Sequence, residues 1–370
     1  MKRLGIWLAA MLLAGCGGGG SGTADPARDY DWTQLGTALN SFVSVAGTPP
    51  SGMVGGYGFA LFDRSGVLYT SAGGNQSLSS VEPIASASKL PSAAAILTLV
   101  DQGKLDLDTP VAHYFLGSPL SWPLDKIAIT TRMLLSHTSG LPGLDNKQPS
   151  CLNQITGTTL LQCAQSVAGT ALVSQPGAEF NYGGADYQVA GYLAVLLSGA
   201  SSWQAFFNTA IAAPLGGLPS YSYGDPSTVT NPRIAGGAVS DVLDYATIVA
   251  MVLDGGQYSG RQVLSSSAAG QLTGNQIAGL KVVYTPFSAA AASNYPGYGL
   301  SLFISAASLY SSQSPGPEFS DPGLYGTTPW FDAGTGYGAV ILIDQDTATG
   351  VDMWNATRPL ILQQLTGKTV

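Results

Sequence analysis

The chain has 370 residues and a formal net charge of −8, with 45% hydrophobic and only 10% charged residues. That balance excludes a nucleic-acid binder, which needs clustered Lys and Arg, and it excludes a disordered chain. The abundance of Gly, Ser, Ala and Tyr fits an exported protein with a neutral, hydrogen-bonding surface.

The first residues read as a leader rather than as part of a fold. Met1-Lys2-Arg3 is a short basic segment, and Ile6 to Leu13 is an apolar run too short to span a bilayer. Leu13-Ala14-Gly15-Cys16 follows, with the small-residue form of a cleavage site. It resembles the bacterial lipoprotein lipobox. This implies a signal peptide over 1–15, cleavage before Cys16 and acylation of its sulfur. Gly17 to Thr23 is Gly/Ser-rich and predicts a flexible tether over 16–29. On the lipoprotein reading, Gly17 (rather than Asp) implies retention at the outer membrane, facing the periplasm. About 350 residues remain, enough for one large domain over 30–370 or two closely packed ones.

Tyr30 to Val45 predicts an amphipathic helix, broken by Thr48-Pro49-Pro50. Gly55 to Asp63 and Val67 to Ala72 predict a hairpin turned at Asp63-Arg64-Ser65-Gly66. Next comes Pro83-Ile84-Ala85-Ser86-Ala87-Ser88-Lys89, then an Ala/Leu/Ile-rich run, Ser92 to Val100, that predicts a helix stopping at Gly103. From there to about Gly279 the signals are helices and loops, with helices at Gln188–Leu197, Trp203–Ala212 and Val242–Leu253. Strands return at Tyr298–Ile304, Leu324–Asp332 and Tyr337–Asp344, and a last helix covers Arg358–Leu365. No internal repeat is visible. Strands at both ends predict an α/β (α+β) fold, with a mostly antiparallel sheet built from N- and C-terminal segments and flanked by helices. A helical subdomain, approximately 104–279, is inserted between them. A cleft between two such parts is a common place for an active site.

Ser86 and Lys89 are three residues apart at a helix start, so they share one face. That pairing suits a serine nucleophile with a lysine base. The same pattern also fits an N-cap serine followed by a solvated lysine. A lysine base needs its pKa lowered by burial, and a neighbouring tyrosine could share the proton traffic, but chemistry alone does not choose among 17 tyrosines. The Gly-x-Ser-x-Gly frame of the α/β-hydrolases is absent. His137, in Ser136-His137-Thr138-Ser139-Gly140, is either a general base or a loop-fixing turn residue. Cys151 and Cys163, twelve apart in an exported chain, can pair as a disulfide. With two histidines, His113 and His137, and no Cys-x-x-Cys or His-Glu-x-x-His spacing, the sequence argues against a metal site.

Several segments occur in order. They are Ile84 to Lys89, Leu97 to Leu107, Leu134-Leu135-Ser136-His137-Thr138-Ser139-Gly140-Leu141-Pro142, and Pro176-Gly177-Ala178-Glu179-Phe180-Asn181-Tyr182 ahead of the apolar Gln188–Leu197. Together they resemble the serine β-lactamase and penicillin-binding-protein-like superfamily over roughly 30–370, closest to its class C β-lactamase and family VIII carboxylesterase branch. The resemblance implies Ser86 as nucleophile, Lys89 as its base and Tyr182 as the second-motif tyrosine. It further implies an oxyanion hole from the backbone N–H groups of Ser86 and Leu324.

Two departures matter. The second motif is usually Tyr-x-Asn, but here it is Tyr182-Gly183-Gly184. The third motif is usually Lys-Thr-Gly or His-x-Gly, and its match here is Asp321-Pro322-Gly323, whose Asp would repel a β-lactam carboxylate. Asp321, Gly323 and Gly184 are thus expected at the substrate. Arg358, in Asn355-Ala356-Thr357-Arg358, has the spacing that class C enzymes place near a substrate carboxylate, though it also fits an N-capped helix start. The implied function is hydrolysis of a small-molecule ester, or an amide, through a Ser86 acyl-enzyme with no cofactor. The alternatives are a D-amino-acid or cell-wall amide hydrolase, a weak β-lactamase, and a non-catalytic relative that binds peptidoglycan or a protein.

Overall fold

In the first hairpin, Asp63 Oδ1 accepts the Ser65 and Gly66 N–H groups at 2.7 and 3.2 Å and closes the turn. β1 (Gly56–Asp63) and β2 (Gly66–Gly74) follow the predicted pairing, with Asp63 opposite Gly66. Alternate residues of β1 enter two different cores. Tyr57, Phe59 and Leu61 face one side, and Ala60 and Phe62 the other. A strand buried on both faces needs a layer on each side.

Apart from four two-residue strands that pair away from the large sheet, the remaining strands are β3 (Glu179–Asn181), β4 (Lys281–Tyr284), β5 (Gly297–Tyr298), β6 (Phe303–Ile304), β7 (Glu318–Ser320), β8 (Thr328–Asp332) and β9 (Tyr337–Leu342). Seven of the nine form one antiparallel sheet in the order β2-β1-β9-β8-β7-β6-β5. β3 and β4 make a separate parallel pair. The main helices are α1 (Thr33–Asn40), α2 (Lys89–Asp101), α3 (Leu160–Ala168), α4 (Ala185–Ser198), α5 (Val242–Leu253) and α6 (Thr347–Thr366). Leu35 and Leu39 of α1 and Met353 and Trp354 of α6 cover one face of the sheet. On the other face α5 and α2 join the largest core.

This computed structural model describes residues 29–45, 47–306 and 316–367. The signal peptide, Cys16 and nearly all of the tether lie outside them. Residues from Trp32 on form one unit by contact density.

The antiparallel sheet built from both chain ends, with helices between, is as predicted. Four of the expected elements differ. The strand expected over Tyr298–Ile304 is two short strands, β5 and β6, paired antiparallel with Phe303 opposite Tyr298. α1 stops at Asn40. α6 starts at Thr347 rather than near Arg358, because Asp346 caps it by accepting the Thr349 N–H at 2.8 Å. β8 begins at Thr328, since Gly326 turns at φ 94°. In addition, α5 lies inside the span 104–279 yet packs on the sheet, so the helical subdomain is not a contiguous block of sequence.

α2 is buried around its whole circumference from Lys89 to Leu99. It stops at Gly103, whose φ of 66° lets Lys104 donate back to the Leu99 carbonyl at 2.9 Å. A helix this enclosed cannot shift without reorganising the core, which makes it a rigid mount for whatever its N-terminus carries.

Candidate active site

Ser86 does not begin the α-helix. It sits in a single 3-10 turn, Ala85–Ser88, and α2 starts at Lys89. In a 3-10 turn residues i and i+3 eclipse, so Ser86 and Lys89 still share one side. Ala85 has φ 45°, a left-handed conformation that costs a non-glycine residue about 1–2 kcal/mol. The turn is held by Ser88 Oγ, which donates to the Ala85 carbonyl at 2.7 Å and accepts the Ala238 N–H at 3.1 Å.

The Lys89 amine is buried and makes two hydrogen bonds. It donates to the Tyr182 hydroxyl at 2.7 Å and to the Ala235 carbonyl at 3.0 Å. Tyr182, also buried, meets Lys89 on one side and the Ser86 side chain on the other. The phenol hydroxyl is therefore in hydrogen-bonding contact with both the serine and the amine.

Charges sort the roles. Burial lowers the Lys89 pKa to about 8, with Asp321 opposing the shift. Burial raises the Tyr182 phenol well above 10, Asp321 adds to this, and the Ser86 side chain pulls back. The phenol is thus a neutral conduit, and Lys89 is the group able to hold a net proton.

A cavity of about 330 Å³ opens in front of this cluster. Ser86, Lys89, Tyr182, Gly183 and Gly184 are in its wall, and Leu324 and Tyr325 close another side. Gly323 is not in the wall. It packs flat against the Ile84 carbonyl, where any Cβ would collide, and so seats the Pro322–Leu324 segment beside the Ser86 turn. Among the described residues, neither the Ser86 nor the Leu324 backbone N–H donates to a protein acceptor. Both residues line the cavity, which leaves two free donors available for an oxyanion.

Two further expected substrate contacts, besides Gly323, are placed elsewhere. Asp321 is fully buried outside the cavity wall, and its Oδ2 accepts the Leu90 N–H at 3.1 Å. It caps the start of α2 from behind, and burial raises its pKa to about 8 while Lys89 opposes that. Arg358 also lies off the cavity, 3.6 Å from the buried Glu318 carboxylate and over the Trp354 ring. Because α6 starts early, Asn355 and Arg358 are mid-helix positions and neither is at a helix start.

His137 is buried behind Tyr182, with ring centroids 4.7 Å apart. Its Nδ1 lies 3.2 Å from Asp186 Oδ2, and Ser139 Oγ donates to the other carboxylate oxygen. Its φ is 56°, and burial keeps its pKa well below 6.5. A neutral imidazole outside the cavity wall is a loop-fixing residue. Cys151 and Cys163 are disulfide-bonded. The bond ties to α3 the loop that brings Leu144, Gln148, Leu152 and Asn153 to the cavity.

Sequence reading missed three parts of the site. The Ala235 carbonyl is a main-chain group and leaves no side-chain signature. Gln148 lies against Gly183, where its amide fills the space a side chain would take. Gln188, buried on α4, donates to Asn231 Oδ1 and the Pro232 carbonyl at 2.6 and 3.0 Å, and so fixes the turn leading to Ala235.

Comparison with known proteins agrees with this geometry. The chain matches serine beta-lactamase-like protein LACTB, mitochondrial, of Bos taurus with 48% identity over 59 residues, 16% of this chain and 11% of that relative's length. Among solved structures, a family VIII carboxylesterase aligns over 89% of this chain and 97% of its own, at 17% identity and a TM-score of 0.71. EstCE1, described as a hydrolase with promiscuous acyltransferase activity, aligns over 88% and 97% at 18% identity and a TM-score of 0.69. At those identities the structural likeness speaks for the fold alone. The Beta-lactamase family profile matches residues 42–361, a stretch that takes in every strand of the large sheet and the whole cavity wall, and the chain therefore belongs to that family.

Proposed function

We propose that this protein is a serine hydrolase that cleaves carboxylic esters through an acyl-enzyme on Ser86. The observation that carries the reading is the buried Lys89–Tyr182 hydrogen bond of 2.7 Å, set beside Ser86 at the wall of a cavity. Ser86 Oγ attacks the ester carbonyl, and its proton passes through the Tyr182 hydroxyl to the neutral Lys89 amine. The negative charge on the carbonyl oxygen is met by the Ser86 and Leu324 N–H groups. As the carbon–oxygen bond to the alcohol breaks, the proton returns through Tyr182 to the leaving alkoxide. Water then attacks the acyl-enzyme by the same route and frees the acid.

Esters are preferred over β-lactams here because no Lys or His occupies the third-motif position and Asp321 stands there, turned into the core. The structural relatives, a family VIII carboxylesterase and a hydrolase with promiscuous acyltransferase activity, support the same class. The test is hydrolysis of p-nitrophenyl butyrate by the purified protein and by Ser86→Ala. Loss of the rate in the variant is the expected result. A rate that is absent in the parent, or unchanged in the variant, overturns the reading and favours a binding protein.

The lipobox reading makes Cys16 a separate proposal, that the protein is an outer-membrane lipoprotein facing the periplasm. Incorporation of radiolabelled palmitate that disappears in Cys16→Ser tests the anchor, and fractionation of the two membranes tests its site.

A further inference from the structure

The wall of the cavity contains two charged side chains, Lys89 and Arg233, and no acidic one. Composition does not lead to this, since acidic residues outnumber basic ones 22 to 14. Lys89 is buried and committed to Tyr182 and Ala235. Arg233 is exposed. Its one described hydrogen bond is a long one, 3.4 Å to the Asn153 carbonyl, and it joins none of the ion pairs among the described residues.

Its backbone is fixed to the site. The Arg233 carbonyl accepts the Gly236 and Gly237 N–H groups at 3.1 and 2.8 Å. The next carbonyl, Ile234, accepts Ser92 Oγ of α2 at 2.8 Å, and the one after, Ala235, holds Lys89. The guanidinium is therefore carried by a turn locked to the helix that Ser86 precedes. The same wall carries the apolar and aromatic side chains Leu144, Leu152, Tyr284, Phe287, Leu324 and Tyr325, beside uncharged polar ones such as Gln148 and Asn153. An unpaired guanidinium presents a planar fork of donors that matches a carboxylate.

We propose that Arg233 is a specificity residue that binds a carboxylate on the substrate, so that the favoured substrates are esters bearing an apolar segment and a free carboxylate apart from the scissile bond. This rests on the acyl-enzyme reading above. The test compares mono-p-nitrophenyl glutarate with p-nitrophenyl butyrate, using the parent, Arg233→Gln and Ser86→Ala. In the parent, kcat/KM for the glutarate ester exceeds that for butyrate by about tenfold, the order of one hydrogen-bonded charge pair. Arg233→Gln removes that advantage through KM, bringing kcat/KM for the two esters together, and added salt erodes the advantage in the parent.

Ser86-dependent butyrate hydrolysis without a glutarate preference, or an equal loss on both esters in Arg233→Gln, overturns the Arg233 proposal and leaves the acyl-enzyme standing. Absence of hydrolysis of both esters overturns the acyl-enzyme. Anion recognition is then judged by calorimetric binding of monobenzyl glutarate to Ser86→Ala, which needs no turnover. Binding that Arg233→Gln in that background does not weaken overturns it.

Discussion

The Asp321 carboxylate accepts the Leu90 N–H at 3.1 Å, immediately beyond Lys89 in the chain. One acidic side chain thus caps the first turn of α2 and sets the field at the base. Its charge raises the Lys89 pKa against the burial that lowers it. In the proposed mechanism the base works as the neutral amine, and the expected result is that activity climbs as pH rises through the apparent pKa of the pair, near 8.

Asp321→Asn keeps an acceptor for Leu90 and removes the charge. Lys89 then loses its proton more readily, and the acid limb of kcat/KM moves to lower pH. A pH–rate profile on a p-nitrophenyl ester measures this, and an unmoved limb shows that Lys89 is not the group titrating. Asp321→Ala also leaves the Leu90 N–H without its acceptor and costs roughly 1–3 kcal/mol of stability by urea unfolding.

Tyr182→Phe deletes the hydroxyl between Ser86 and Lys89 while keeping the ring against His137 and Phe303. We expect kcat to fall by about 10²–10⁴, with little change in melting temperature. If Tyr182 only anchored its loop, kcat would be retained.

His137→Asn separates the two meanings of the His-Thr-Ser-Gly turn. Asparagine tolerates φ 56° but cannot fill the aromatic cage formed by Phe180, Tyr182, Tyr187 and Tyr298. The expected result is a stability loss of roughly 2–4 kcal/mol with kcat within about tenfold of the parent. A collapse of kcat without loss of stability would restore His137 as a base.

Reduction of Cys151–Cys163, or its replacement by serines, frees the loop that carries Gln148, Leu152 and Asn153 to the cavity. For so short a loop the cost is about 3 kcal/mol, read as a lower melting temperature. KM for esters rises more than kcat falls, because Ser86 is carried by the 3-10 turn leading into α2 and not by this loop.

The sheet and its two-ended origin were legible because Gly56–Asp63 and Tyr337–Leu342 are short, nearly continuous apolar runs bounded by turn residues, the pattern of strands buried on both faces. Ser86 and Lys89 were legible because their spacing is local. Tyr182 could be named only through a family pattern, since it reaches Lys89 from the far side of a loop. Asp321 was assigned to the wrong side because Asp-Pro-Gly encodes a turn without saying which way the carboxylate points. Arg358 was misplaced because Asp346 starts α6 earlier than the apolar pattern does. Ala235, Arg233 and Gln188 meet only after folding, and no spacing connects them to Ser86.

The pairing of β1 with β9 has a consequence for how the protein is made. Phe59 is opposite Ile341, so one seam of the sheet joins the first of its strands along the chain to the last. A nascent chain presents Ser86 and Lys89 long before Leu324 and this closing strand. Contacts so distant in sequence form slowly. Until β9 pairs with β1, nothing holds Ser86 and Leu324 to the same cavity.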